Sequence, residues 1–218
     1  MTATAWVLLG LTAVAALVDW TAVGTGRVRL EYVAKPLTTA GLVAVALTID
    51  PAHPSVRTAF VVALVLSLVG DVLLMLPGER WFVPGLGAFL LAHVAYVVGF
   101  VVGPGTGAEL AVGALVTLVV AIPLGVRLLR AVRRTSPALA GPVAAYVTVI
   151  AVMVACATGW GNAFAVVGAW LFFASDALIG ETRFVRPDDR AAARWGPLAV
   201  IVTYHLGQAG LVLSLVHR

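Results

Sequence analysis

Eight stretches of this chain stay apolar long enough to cross a lipid bilayer as helices, at about residues 3–23, 33–49, 58–76, 82–102, 108–128, 138–158, 161–180 and 196–216. A spanning helix takes about 20 such residues. Between the stretches stand turn formers, in Asp50-Pro51-Ala52-His53-Pro54, Pro77-Gly78-Glu79-Arg80, Gly103-Pro104-Gly105-Thr106-Gly107 and Arg186-Pro187-Asp188-Asp189. The connection Thr158-Gly159-Trp160-Gly161-Asn162 is so short that spans six and seven are expected as a tight hairpin. Because backbone polar groups in hydrocarbon must be bonded within the chain, the pattern predicts an all-α, polytopic integral membrane protein of eight transmembrane helices, one domain over residues 1–218. Trp6, Trp81, Trp160 and Trp195 fall near span ends, the depth of interfacial aromatics.

With 61% hydrophobic and 11% charged residues, no length remains for a water-soluble domain. Any chemistry must be built from helices and short loops. The first cationic residue, Arg27, follows the first apolar run instead of preceding it, so residues 3–23 are expected as a retained span and not a cleaved signal. Cys156, the lone cysteine, sits in an apolar stretch and is expected as a small core residue.

Of the 14 Lys and Arg residues, 12 follow odd-numbered spans: Arg27, Arg29, Lys35, Arg80, Arg127, Arg130, Arg133, Arg134, Arg183, Arg186, Arg190 and Arg194. The opposite side holds Arg57 and Arg218. Short basic loops stay cytoplasmic, which predicts a multi-pass cell-membrane protein with both termini extracytoplasmic. The net charge of +4 then belongs to topology and anionic lipid headgroups, not to nucleic acid.

Two aspartates break the apolar pattern, Asp71 within span three and Asp176 within span seven. A carboxylate in hydrocarbon costs about 2.5–3.5 kcal/mol or more, so such groups face a polar interior and mark a site. Spans three and seven run the same way and both aspartates come late, about five residues or roughly 7 Å inside the boundary. One leaflet therefore gathers Asp19, Lys35, Asp71, Asp176, Glu181 and Arg183. Deeper, His93 in span four and Tyr204, His205 and Gln208 in span eight would form a floor. Ser67 with Asp71, His93 with Tyr96, and Tyr204 with Gln208 share helical faces.

Plainer alternatives stand beside these. Asp19 and Glu181 at span ends suit headgroup-level residues, Lys35 before Pro36 suits a helix-start anchor, and a buried His suits an interhelical hydrogen bond. Asp71 and Asp176 could be structural ion pairs with Lys35 or Arg183. A weak echo also links Ser67-Leu68-Val69-Gly70-Asp71 with Phe172-Phe173-Ala174-Ser175-Asp176, and Gly85 before His93 with Pro197 before His205. Four spans separate the copies, so a repeat would be a parallel 4+4 one.

Lys35-Pro36-Leu37-Thr38-Thr39, Ser67-Leu68-Val69-Gly70-Asp71-Val72-Leu73-Leu74-Met75, Gly85-Leu86-Gly87-Ala88-Phe89-Leu90-Leu91-Ala92-His93-Val94-Ala95-Tyr96, Phe173-Ala174-Ser175-Asp176-Ala177-Leu178 and Tyr204-His205-Leu206-Gly207-Gln208 resemble, in order, the motifs of the YhhN-type lysoplasmalogenase family. The match spans roughly residues 32–214. It implies an eight-span hydrolase that cleaves the vinyl ether bond of lysoplasmalogens, giving a fatty aldehyde and glycerophosphoethanolamine or glycerophosphocholine. By motif position it points to Lys35, Asp71, His93, Asp176, Tyr204 and Gln208.

Vinyl ether hydrolysis begins with protonation of the β-carbon and passes through an oxocarbenium ion that water captures. Two carboxyl groups at one depth could divide the roles of acid and anion, as in glycosidases. Asp71 and Asp176 are the expected catalytic pair, with the division open. Lys35 would hold the phosphate or keep one Asp ionised, while His93, Tyr204 and Gln208 orient the lysophospholipid substrate or water. No metal or other cofactor is required. A proton- or ion-coupled transporter is the rival class, and a non-catalytic lipid-binding or packing protein a third. The outer halves of spans three and seven are nearly bare of ionisable groups, which favours a pocket open to one side.

Overall fold

The computed structural model describes residues 1–103 and 107–216. Pro104, Gly105 and Thr106 of one expected turn, and Arg218 of the charge pattern, lie outside the described residues. The helices are α1 (Ala3–Thr25), α2 (Val28–Thr48), α3 (Pro54–Met75), α4 (Phe82–Val101), α5 (Gly107–Thr135), α6 (Ala140–Trp160), α7 (Ala163–Gly180) and α8 (Arg190–Leu213). All eight are long and apolar enough to cross a membrane. The outer surface agrees with that: Leu115 and Val119 on α5 are 67% and 70% exposed, which suits contact with lipid.

Several helices run past the apolar stretches. α2 starts at Val28, near the foot of α1, so Lys35 and Pro36 stand inside the helix and Lys35 is not a helix-start anchor. α5 continues to Thr135 and carries Arg127, Arg130, Arg133 and Arg134 in helix instead of loop. Arginine is a good helix former, so losing hydrophobicity does not end the helix. α8 starts at Arg190 because Asp189 caps it, its carboxylate accepting from the amides of Ala191 and Ala192. α7 is prolonged by a π-helical turn, Glu181–Val185.

The closest packing is within the sequential hairpins α1–α2, α3–α4, α5–α6 and α7–α8. Contact between α6 and α7 is much smaller, so the expected tight hairpin there is not formed. Gly161 takes a left-handed φ of 69° and Asn162 caps α7, a sharp corner after which the two rods diverge. By contrast α7 and α8 touch backbone to backbone. A Cβ at Gly168 would lie 2.7 Å from the Leu211 amide nitrogen, and one at Gly207 2.8 Å from that of Phe172. This crossing fixes α8, which also packs on α1, α2 and α3, at the centre of the bundle.

Since α3, α5 and α7 end, and α4, α6 and α8 begin, beside the Arg-rich segments, that end of the bundle is called the basic side. Towards the other end lies an aromatic layer. Phe60 meets Tyr96 and Phe100 edge to face at 4.9 and 5.1 Å, and Phe100 meets Trp160 at 5.4 Å between centroids.

Candidate active site

Asp71 is fully buried on α3, one residue after Gly70, where a Cβ would strike the Phe89 ring at 2.6 Å. That close approach seats α4 against the aspartate's own turn. Around its carboxylate three helices converge. Lys35 Nζ of α2 stands 3.3 Å from Oδ1, while Thr39 Oγ1 of α2 and the Tyr204 hydroxyl of α8 each donate to Oδ2 at 2.7 Å. Behind Tyr204 the bonds continue: Tyr96 donates to Gln208 Oε1, and Gln208 Nε2 donates to the Tyr204 oxygen at 3.4 Å. Every donor in this chain points towards Asp71, and aligned donors reinforce one another.

Asp176 is placed differently. The Tyr146 hydroxyl of α6 donates to its Oδ2 at 2.7 Å, and His93 Nε2 of α4 lies 3.6 Å from the same oxygen. His93 Nδ1 donates to the Phe89 carbonyl at 2.6 Å. A carbonyl accepts only, so Nδ1 carries a proton, and in the neutral ring Nε2 is the bare nitrogen facing Asp176. Arg183 does not pair with Asp176; it pairs with Glu79. Of the two structural ion pairs considered from the sequence, the structure contains the one between Lys35 and Asp71.

Both aspartates line one cavity of about 130 Å³, together with Lys35, Tyr146, Ser175 and Tyr204. Its remaining walls are mostly apolar, from Phe82, Leu86 and Phe89 on α4 to Leu124 and Leu128 on α5. It reaches Glu181 and Phe184 at the basic side. Glu181 is held there by Arg127 Nη2 at 2.5 Å and Arg186 Nε at 2.8 Å. His93 and Gln208 do not line the cavity but stand one layer behind it, each bonded to a group that does or facing one. Ser67, on the Asp71 face, is buried with an unbonded hydroxyl.

Tyr146 and Thr39 bear directly on the two carboxyl groups, yet the residue pattern alone does not single either out. Thr39 stood inside a quoted motif, and Tyr146 had no signal beyond being a polar tip within span six.

Asp19 differs from its expected headgroup-level place. It is fully buried, with neither carboxylate oxygen hydrogen-bonded, and its Oδ2 lies 4.0 Å from His205 Nε2. Trp20 Nε1 donates to His205 Nδ1 at 3.1 Å, so the neutral ring's proton sits on Nε2 and points towards Asp19. This pair belongs to the α1–α8 contact and does not line the cavity.

A model of the YhhN family matches residues 30–215. The chain is 34% identical over 152 residues to Lysoplasmalogenase TMEM86B of Homo sapiens, covering 70% of this chain and 61% of that protein. It is 35% identical over 151 residues to a Lysoplasmalogenase of Mycobacterium bovis and to one of Mycobacterium tuberculosis, covering 65% of this chain and 56% of each. The chain thus spans about six-tenths of the length of the curated relatives it matches. No solved structure matches. The matched stretch takes in seven of the eight helices nearly whole and every residue that touches either cavity aspartate, and the chain belongs to the YhhN family.

Proposed function

We propose that the chain is a membrane-embedded lysoplasmalogenase-like hydrolase that cleaves the vinyl ether bond of a lysoplasmalogen, with Asp176 as acid and Asp71 as anion. The observation that carries this reading is one cavity lined by two aspartates in contrasting surroundings. Asp71 faces a lysine and two hydroxyl donors, a setting made for a charged carboxylate. Asp176 meets a phenol and an imidazole nitrogen that is bare when His93 is neutral, a setting that suits a carboxylic acid. The named relatives support the substrate class.

Protons and bonds balance across the cycle. Asp176 gives its proton to the vinyl ether β-carbon, leaving an oxocarbenium ion that the Asp71 carboxylate stabilises. Water attacks this ion and passes a proton to Asp71, forming a hemiacetal. The hemiacetal hydroxyl then returns a proton to Asp176 while Asp71 protonates the departing glycerol oxygen. Fatty aldehyde and a glycerophospho-headgroup leave, and both side chains are reset. Lys35 serves as counter-ion to Asp71. The cavity holds only the reacting end of a lysolipid, and the alkenyl chain runs out past Leu124, which lines the cavity and is 40% exposed on α5.

By the charge pattern the basic side is the cytoplasmic one, so the headgroup enters from that face. The polar chain ends at Tyr96, against the aromatic layer, which supports a one-sided pocket over a transport path. The test is aldehyde release from 1-alkenyl lysophospholipid by the purified protein in detergent. Wild type releases aldehyde, and Asp71→Asn and Asp176→Asn each lower turnover by about 100-fold or more. Near-normal turnover in both variants rejects the mechanism.

A further inference from the structure

We infer that Arg183, with the outer cavity it lines, binds the phosphate of the lysophospholipid headgroup; the inference rests on the substrate reading above. This second cavity, of about 290 Å³, lies at the basic side and shares Leu74 and Phe82 with the inner one. The two are neighbouring compartments, one holding the carboxyl pair and the other lined by Glu79 and Arg183. Glu79 and Arg183 supply the outer compartment's charges among the described residues.

The guanidinium of Arg183 is fixed in place. Its carbon lies 3.9 Å from the Phe82 ring centroid and 5.7 Å from that of Phe184, so two aromatic faces orient the fork. Its acidic partner is exchangeable. Glu79 is 84% exposed and sits in the short turn Glu79–Trp81, and exposed ion pairs of this kind contribute little. A phosphate can replace that carboxylate and take two parallel N–H donors. Of the nearby cations, Lys35 faces Asp71, Arg127 and Arg186 both hold Glu181, and Arg80 stacks on Trp81 without lining either cavity.

Spacing fits the substrate. Arg183 follows Asp176 by seven residues along the α7 rod and its π-helical extension, roughly 10 Å further towards the basic side. In a lysoplasmalogen three glycerol carbons separate the vinyl ether from the phosphate, so an ether at Asp176 sends its phosphate towards Arg183.

The experiment compares paired ligands with and without phosphate. Binding of saturated 1-O-alkyl lysophosphoethanolamine and of 1-O-alkylglycerol to purified protein reads the site without any reaction, and turnover of the matching alkenyl compounds reads it in catalysis. Arg183→Gln raises Kd and KM for the phospholipids about tenfold or more and leaves the glycerols unchanged. Arg183→Lys keeps part of the affinity, and Glu79→Gln tightens phospholipid binding by removing the competing carboxylate. Equal effects on both ligand series, or no effect on either, overturn the assignment. So does inorganic phosphate competing as strongly as the lysolipid, which would mark a free-phosphate site. Failure of wild type to hydrolyse the alkenyl substrates while the binding difference persists would reject the hydrolase reading and leave the phosphate site standing.

Discussion

Tyr204 and Tyr146 are the same residue type at the same 2.7 Å from a carboxyl oxygen, yet in the proposed mechanism they serve groups of different charge. A hydrogen bond to a charged partner contributes about 1.5–3 kcal/mol, and one between neutral groups about 0.5–1.5 kcal/mol. Tyr204→Phe should therefore lower kcat/KM about 10- to 100-fold, and Tyr146→Phe about 2- to 10-fold, in steady-state aldehyde assays. The reverse order would exchange the roles of Asp71 and Asp176. At this scale the two aspartates were legible in sequence because an ionisable group in an apolar run has few reasons to be there. Tyr146 and Thr39 were not, since both residue types occur freely in spans and meet their carboxyl groups only through helix packing. Asp19 was read by its distance from a span end, but depth along a helix says nothing of which way a side chain faces. Here it faces His205 on α8.

Helices were found from hydropathy, and their ends were not. Capping by Asp189, the helix-forming arginines of α5 and the π turn after Gly180 decide where the rods stop, and none of these follows from hydrophobicity. The divergence of α6 from α7 was hidden for a similar reason: loop length bounds how near two ends lie, not how their axes cross. Close crossings depend on glycines, and the α7–α8 one sets Tyr204 above Asp71. Gly207→Ala forces a Cβ against the Phe172 backbone. Overpacking of this kind costs about 1–3 kcal/mol, so thermal unfolding in detergent should shift down and turnover should fall with it. Gly10→Ala, where a Cβ meets nothing within 4 Å, is the control and should leave turnover unchanged and not lower the unfolding temperature.

For the molecule as a whole, charge bias set an orientation that helix geometry alone does not carry. Starting from a Cys156→Ser background, Arg134→Cys on the basic side should resist an impermeant maleimide in intact cells and react after lysis, while Thr2→Cys should react in both. The opposite pattern would turn the protein over and place the chamber outside. Whichever way it faces, the aromatic layer of Phe60, Phe100 and Trp160 lies beyond the last hydroxyl of the Asp71 chain. Water admitted to the two carboxyl groups meets a greasy stopper before the far end of the bundle. A protein built this way can stay open on one side of a bilayer without carrying protons through to the other.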